Sequence, residues 1–150
     1  MVSGRTNAMS GADCIYCLQD ERLARLMLPV CSLDAADIYL FRDQLHRGRC
    51  VVALNKHYRE LHELPEATLR QFMSSVARTA QALQDIFAPD KLNYAIYGDI
   101  VDHLHFHLVP KYNEGPDWGQ PFQTSSASAS LLADEDYREL SETIRRQLLG

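Results

Sequence analysis

Residues 102–110 read Asp-His-Leu-His-Phe-His-Leu-Val-Pro, an alternation that an extended strand turns into two distinct faces. His103, His105 and His107 then share one face, and Leu104, Phe106 and Leu108 share the other, which has the character of a core. Three readings fit a row of imidazoles. The plainest is a solvated strand face with no chemical role. Against it, half of the chain's six histidines fall within five positions, where Thr or Val would suit the pleat better. The second is a metal cage, since neutral imidazole is a common transition-metal ligand. The third is nucleophilic catalysis, in which one imidazole attacks while its neighbours orient it and protonate the leaving group.

The pattern around this strand predicts an α+β fold, a single antiparallel meander-like sheet with one long packed helix and a C-terminal helix. Residues 1–13 are small and polar, with a second methionine at Met9, and read as a disordered leader or an added expression sequence. Cys14-Ile15-Tyr16-Cys17 opens the ordered part. A short helix follows, with Leu23, Leu26 and Met27 at helical spacing and Pro29 as its end. Residues 38–41 and 50–54 are β-rich and predict an antiparallel pair whose turn is punctuated by Gly48. Over 65–87, Leu69, Phe72, Met73, Val76, Ala80, Leu83 and Phe87 step by three and four, so one stripe faces a sheet while Arg70, Arg78 and Gln84 stay in water. Residues 92–97 predict a third core strand, and 98–102 bend the chain into the histidine strand. A Gly/Pro loop over 113–123 carries the only tryptophan, Trp118, and a low-complexity link over 125–130 leads to a last helix with Asp134 as its N-cap and Tyr137, Leu140, Ile144 and Leu148 on one stripe. The expected division is a leader over 1–13, a domain over 14–122, and a linker with the C-terminal helix over 123–150.

A chain of 150 residues with 46% hydrophobic and 23% charged residues suits one globular domain that needs no disulfides. Its net charge of -5 argues against a nucleic-acid coat but leaves room for a local phosphate site. No apolar run is long enough for a membrane span, and residues 1–13 lack the apolar core of a signal peptide, so a cytoplasmic location is expected. In that compartment the four cysteines are thiols or metal ligands, with Cys31 and Cys50 inert among apolar neighbours. Cys14 and Cys17 are spaced for a redox pair or a metal. A redox pair of the thioredoxin type follows a core strand, and residues 1–13 supply none. Tetrahedral zinc needs two further ligands, for which histidines are the available type.

The histidine strand resembles the signature of the histidine triad family, in which His and apolar residues alternate along one strand, and the pattern is complete from His103 to Val109. Asn93-Tyr94-Ala95-Ile96-Tyr97-Gly98-Asp99 and Pro110-Lys111-Tyr112 also resemble this family, nearest to its bacterial diadenosine polyphosphate hydrolase branch, over roughly residues 14–122. The resemblance implies that His105 attacks the α-phosphorus of a nucleotide to form a nucleotidyl-histidine, which water then hydrolyses. His107 would contact the bridging or leaving oxygen, and His103 would orient the nucleophile through its carbonyl. It further implies Asn93 near the phosphates and Asp43 at the ribose hydroxyls. Read as plain residues, Asn93 begins a strand and Asp43 caps a turn. At Asp99 the family usually carries an amide, so a carboxylate there implies a less charged substrate or a divalent cation bridging to the phosphates. Zinc-containing relatives imply a structural zinc on Cys14, Cys17, His57 and His103, with His46 or His62, read as surface residues, as alternatives to His57. They also imply a homodimer, in which Trp118 either lines the base pocket or sits at the dimer contact.

Two functions compete with each other on this reading. One is a nucleotide hydrolase or nucleotidyl transferase working through His105 on dinucleoside polyphosphates or nucleoside monophosphate conjugates. The other is a zinc-stabilised module that binds or senses nucleotides with little turnover, which Asp99 and the acidic chain favour. A third, one ion held by all three strand histidines, leaves the cysteine pair without a purpose.

Overall fold

The structure, a computed structural model, describes residues 12–124 and 129–150. Most of the expected leader and of the 125–130 link lies outside the described residues. The chain forms α1 (Ile15–Leu18), α2 (Glu21–Leu26), β1 (Met27–Ser32), β2 (Ala36–Phe41), β3 (Cys50–Leu54), α3 (Glu66–Phe87), β4 (Lys91–Ile96), β5 (His105–Lys111) and α4 (Asp134–Leu149). All five strands pair antiparallel in the order β1-β2-β3-β5-β4.

This is the expected α+β class, with three differences in detail. The meander holds only for β1, β2 and β3. The chain then crosses through α3 to the far edge of the sheet, and β5 returns to fill the gap between β3 and β4. Residues 92–97, expected as a core strand, therefore lie in an edge strand that leaves Tyr94, Ile96 and the following Tyr97 exposed. Aromatic and β-branched residues satisfy both kinds of strand, so composition alone did not separate them. The third difference is Pro29, which does not end a helix but sits inside β1. The N-terminal helix stops at Leu26, and Pro29 is tolerated because β1 is an edge, where the missing N–H breaks no inner ladder. The register skips one residue between Pro29 and Cys31, a bulge beside that proline.

Alternation explains the two faces of the sheet. Ile38, Leu40, Cys50, Val52, Leu54 and Leu108 point toward α3 and α4 and form the main core with Phe72, Val76, Leu83, Leu140 and Ile144. Tyr39, Val51 and Ala53 point the other way, into a smaller cluster under α1 and α2 with Ile15, Tyr16, Leu23 and Met27. Covered on both sides, β3 is buried at all five positions. The stripe of α3 is as expected except at Met73, which is 39% exposed. On the opposite flank the buried face widens to take in Ser75 and Thr79, whose hydroxyls donate to the carbonyls of Gln71 and Ser75 at 3.0 and 2.8 Å. In α4 the N-cap is Ala133, not Asp134. Asp134, Glu135 and Asp136 fill the first turn, where negative charge suits the helix dipole.

Gly48 holds the turn before β3 with φ of +90°, and a Cβ there would stand 2.5 Å from Phe87 Cε2. Gly48→Ala is therefore expected to cost about 2–4 kcal/mol, the sum of a backbone strained for an L-residue and an overpacked contact, read as a shift of the urea midpoint at unchanged slope.

Candidate active site and metal centre

The histidine strand is positioned from both sides. Val51 pairs with His107 and Ala53 with His105 on β3, while Ala95 pairs with His107 and Asn93 with Val109 on β4. Directly paired residues share a face, so Asn93 and Ala95 stand on the same face as the imidazoles. His103 precedes β5 itself. Its neighbour Leu104 donates to the Tyr58 carbonyl at 2.9 Å and accepts from the Leu54 N–H at 3.0 Å, which carries the pairing one residue beyond the strand. His103, His105 and His107 are buried, at 2%, 6% and 9% exposure.

Each ring's hydrogen bonds assign its tautomer. His105 Nδ1 lies 2.5 Å from the His103 carbonyl, which can only accept, so Nδ1 carries the proton and Nε2 keeps its lone pair. His103 Nε2 lies 2.7 Å from the Leu54 carbonyl, so Nε2 carries its proton and Nδ1 is the free donor atom. His107 Nδ1 lies 3.2 Å from Arg49 Nη2. A guanidinium has no acceptor, so Nδ1 accepts and the proton sits on Nε2. Burial is the main reason all three favour the neutral ring. It pushes His103 down to about 4 and His105 below the usual imidazole value, and burial with the Arg49 charge pushes His107 down to about 3.

The free Nδ1 of His103 faces three further ligand atoms. Cys14 Sγ is 3.3 Å away, Cys17 Sγ 3.6 Å and His57 Nδ1 3.2 Å, and Cys17 Sγ lies 3.4 Å from His57 Nδ1. One donor atom from each of the four residues lies within 4.8 Å of the others. Two thiols and two imidazole lone pairs turned toward one point suit a tetrahedral cation, and the Leu54 carbonyl behind His103 fixes the ring as a ligand needs. Without a cation the arrangement is unfavourable for thiolate, since burial and the neighbouring Cys14 both raise Cys17. These four residues could hold a metal. The alternatives to His57 do not reach the cluster: His62 is exposed in a 3-10 turn, Leu61–Glu63. His46, expected at the surface, is instead 5% exposed and pairs through Nε2 with Asp117 Oδ2 at 2.9 Å, tying the 112–120 loop to the β2–β3 turn.

The other expected residues are placed as follows. Asn93 is half-buried and lines a cavity of about 320 Å³ with Ala95, Tyr97 and Phe122. Asp43 Oδ1 accepts from Leu45 N at 3.1 Å and Ser130 N at 2.9 Å, a turn cap that also fastens the segment leading to α4. Asp99 is exposed in the bend between β4 and His103. Trp118 is 44% exposed beside Asp117. Cys50 is fully buried and its thiol is raised by burial, while Cys31 is only half-buried and lines a separate cavity of about 750 Å³ between β1 and α4, lined by no histidine.

Two residues escaped the reading of the sequence. Tyr16, between the two cysteines on α1, is buried with its ring 5.2 Å from that of His103 and 5.0 Å from that of His105. The other is Arg49, 2% exposed, whose guanidinium carbon lies 4.0 Å from the Phe41 ring centroid and 5.0 Å from that of Phe122. Its place was readable in principle, since Arg49, Val51 and Ala53 continue one period-2 face. Gln44 braces that turn, donating to the Phe41 carbonyl at 2.6 Å and accepting from Gly48 N at 2.8 Å.

Known proteins resemble this chain in sequence and in fold. The HIT domain family matches residues 36–114, more than half of the chain. A HIT protein of Bacillus subtilis is 27% identical over 115 residues, covering 73% of this chain and 77% of its own. An adenosine 5'-monophosphoramidase of Saccharomyces cerevisiae is 30% identical over 107 residues, 69% of this chain and 65% of the yeast protein. An adenylylsulfatase of Arabidopsis thaliana is 24% identical over 144 residues, 91% of this chain and 70% of the plant protein. Among solved structures, a histidine triad protein of Bradyrhizobium japonicum superposes with a TM-score of 0.78 at 21% identity, over 86% of this chain and 96% of the other. A zinc-bound histidine triad family protein of Mycobacterium smegmatis gives 0.63 at 22% identity, over 92% and 94%. A diadenosine triphosphate hydrolase of Plasmodium falciparum gives 0.61 at 14% identity, over 79% and 74%. With the imidazole row running from His103 into β5 and the family pattern spanning most of the sheet, the chain belongs to the HIT domain family, the histidine triad proteins.

Proposed function

We propose that this chain is a nucleotide hydrolase or nucleotidyl transferase that acts at an α-phosphate through a covalent nucleotidyl adduct on His105. The observation that carries the reading is the His105 hydrogen bond to the His103 carbonyl, which places the neutral ring's proton on Nδ1; burial favours that neutral ring, so the Nε2 lone pair needs no general base to free it. His107, with its proton on Nε2, is the donor to the departing oxygen. Asn93 on the same face contacts the phosphates, and Asp43 reaches the ribose through the carboxylate oxygen that its turn leaves over. Asp99 tunes the substrate's charge, directly or with a divalent cation. The substrates are dinucleoside polyphosphates, as in the bacterial diadenosine polyphosphate hydrolases, or nucleoside monophosphate conjugates. The names of the yeast, plant and Plasmodium relatives support hydrolysis at a nucleotide phosphate.

The four-ligand cluster holds a structural zinc, which supplies rigidity and no open coordination position. The reacting unit is the 14–122 domain, with 123–150 as linker and C-terminal helix. The chain acts in the cytoplasm; among the described residues no helix is long and apolar enough to cross a membrane. The bare β4 edge, with Tyr94, Ile96 and Tyr97 exposed and Ile100 96% exposed beyond it, pairs with a second copy in a homodimer. Sedimentation at the 17.1 kDa of one chain alone, at micromolar concentration, would remove the dimer.

Mass spectrometry of the protein quenched during turnover of adenylylated and uridylylated substrates tests the reaction. The expected product is one nucleoside monophosphate on His105. Tight calorimetric binding across the same panel, with neither adduct nor turnover, selects a nucleotide-binding module instead.

A further inference from the structure

Arg49 is a buried cation that touches no carboxylate among the described residues, with the Asp43 charge acting on it only from a distance. The residue is 2% exposed, Nη1 donates to the Gln123 carbonyl at 3.3 Å, Nη2 to His107 Nδ1 at 3.2 Å, and Nε is buried with no partner among the described residues. Among the described residues no acidic side chain forms an ion pair with it, and its guanidinium carbon lies 4.0 Å from the Phe41 ring centroid and 5.0 Å from that of Phe122. Desolvation lowers its own proton affinity to about 10, which still leaves the guanidinium charged at neutral pH. A charge held without an ion pair in such a setting is costly to bury, and an anion arriving beside it would offset that cost. Its position beside the Nδ1 of His107 also means that this ring cannot be held as an imidazolium.

We infer that Arg49 makes the site selective for substrates whose departing group leaves as an oxyanion, such as phosphoric or phosphosulfate anhydrides, over phosphoramidates, whose departing amine must take up a proton. The inference rests on the covalent His105 reading and names its substrate class. In the first step the Nε2 lone pair of His105 forms the N–P bond, the bridging P–O bond breaks, and its electron pair stays on the departing oxygen. That oxygen leaves as an anion, accepting the His107 Nε2–H hydrogen bond without removing the proton, with the Arg49 charge on the other side of the ring. The His105 ring keeps its Nδ1 proton and carries a positive charge until water attacks phosphorus. The N–P pair then returns to Nε2, and the proton of the water goes to solvent. An amine cannot leave this way. It needs a whole proton, and His107 could supply one only by becoming an imidazolate, because a guanidinium and not a proton occupies its Nδ1.

The test compares kcat/KM for adenylyl sulfate and a diadenosine polyphosphate with that for adenosine 5'-phosphoramidate, in the wild type, Arg49→Met and Arg49→Lys, with metal content and circular dichroism as the check of folding. The wild type is expected to prefer the anhydrides by about 10²-fold, and Arg49→Met to lose about 10²–10³-fold on them with a much smaller loss on the phosphoramidate. Arg49→Lys keeps the charge without the planar fork and is expected to retain the preference in part. Should Arg49→Met not fold, the ratio in Arg49→Lys decides alone. A wild type that favours the phosphoramidate, or variants that lose the same factor on both classes, would overturn the inference. Absence of adduct and turnover in the wild type on both classes overturns the His105 reading beneath it.

Discussion

Replacing His105 with asparagine is expected to lower kcat by about 10⁴-fold or more while leaving the fold in place. The size follows from the role, since a loss of 10⁴ corresponds to about 5.4 kcal/mol of transition-state stabilisation, and no second nucleophile shares the β5 face with an unprotonated nitrogen. His107 offers only its protonated Nε2, and the free Nδ1 of His103 is turned into the Cys14, Cys17 and His57 cluster. Asparagine is the informative substitution because its amide N–H can still donate to the His103 carbonyl that receives the His105 Nδ1 proton. A buried acceptor left without its donor costs about 1–3 kcal/mol, which His105→Ala would incur and His105→Asn avoids. The pair of variants thus separates chemistry from stability: both lose turnover, and the alanine variant alone loses denaturation midpoint. Turnover near the wild-type level in either variant, with the purity of the preparation established, would end the case for a nucleotidyl-histidine.

How much of this was legible before the structure depends on the range over which each feature is determined. The histidine face follows from the two-residue period of a strand, a purely local rule, and the structure keeps it even though β5 begins only at His105. The α3 stripe is likewise local, and so are its ends at Pro65 and Ala88. The cluster of Cys14, Cys17, His57 and His103 was reached by donor type and by resemblance, and the fold brings those four together across up to 89 positions of chain. What failed was set by partners far away in sequence. His46 looked like a loop residue because Asp117, which buries it, is 71 positions on. Arg49 drew no reading at all, because the Phe41 and Phe122 rings beside it belong to two other segments. The place of β4 at an edge depends on β5 choosing β3 as its second neighbour, and nothing within residues 91–96 encodes that choice. Pro29 misled for the opposite reason: a strong local helix terminator is also an acceptable edge-strand residue, and only the sheet decides between them.

If the four-ligand cluster holds zinc as proposed, loss of that metal is expected to reach the nucleophile through Tyr16. The residues from Cys14 to Cys17 make one helical turn with both thiols on the His103 side, and the tyrosine between them rests on the rings of His103 and His105. A four-residue helix has no stability of its own, so what holds this ring in place is the apolar contact of Ile15 and Tyr16 together with the four-ligand cluster. Cys14→Ser is expected to drop bound zinc well below one per chain and to lower stability by about 4 kcal/mol, the range of a lost metal site. At roughly 2–4 °C per kcal/mol for a chain of this size, the melting temperature should fall by roughly 8–16 °C. The surviving folded fraction should turn over about 10²-fold more slowly, the expected effect of displacing a reacting group by about 1 Å. Tyr16→Leu separates the two effects, because it leaves all four ligands intact. It is expected to keep full zinc content and still lose about tenfold or more in kcat, since leucine fills the space without bracing the plane of the His105 ring. Zinc returned to the Cys14→Ser chain should not restore the rate, whereas zinc returned to a chelated wild type should restore both rate and melting temperature. A Cys14→Ser chain with full metal content and full activity would show that the ligands are misassigned, and a metal-free wild type with an unchanged kcat would show that the cluster braces the fold without bracing the nucleophile.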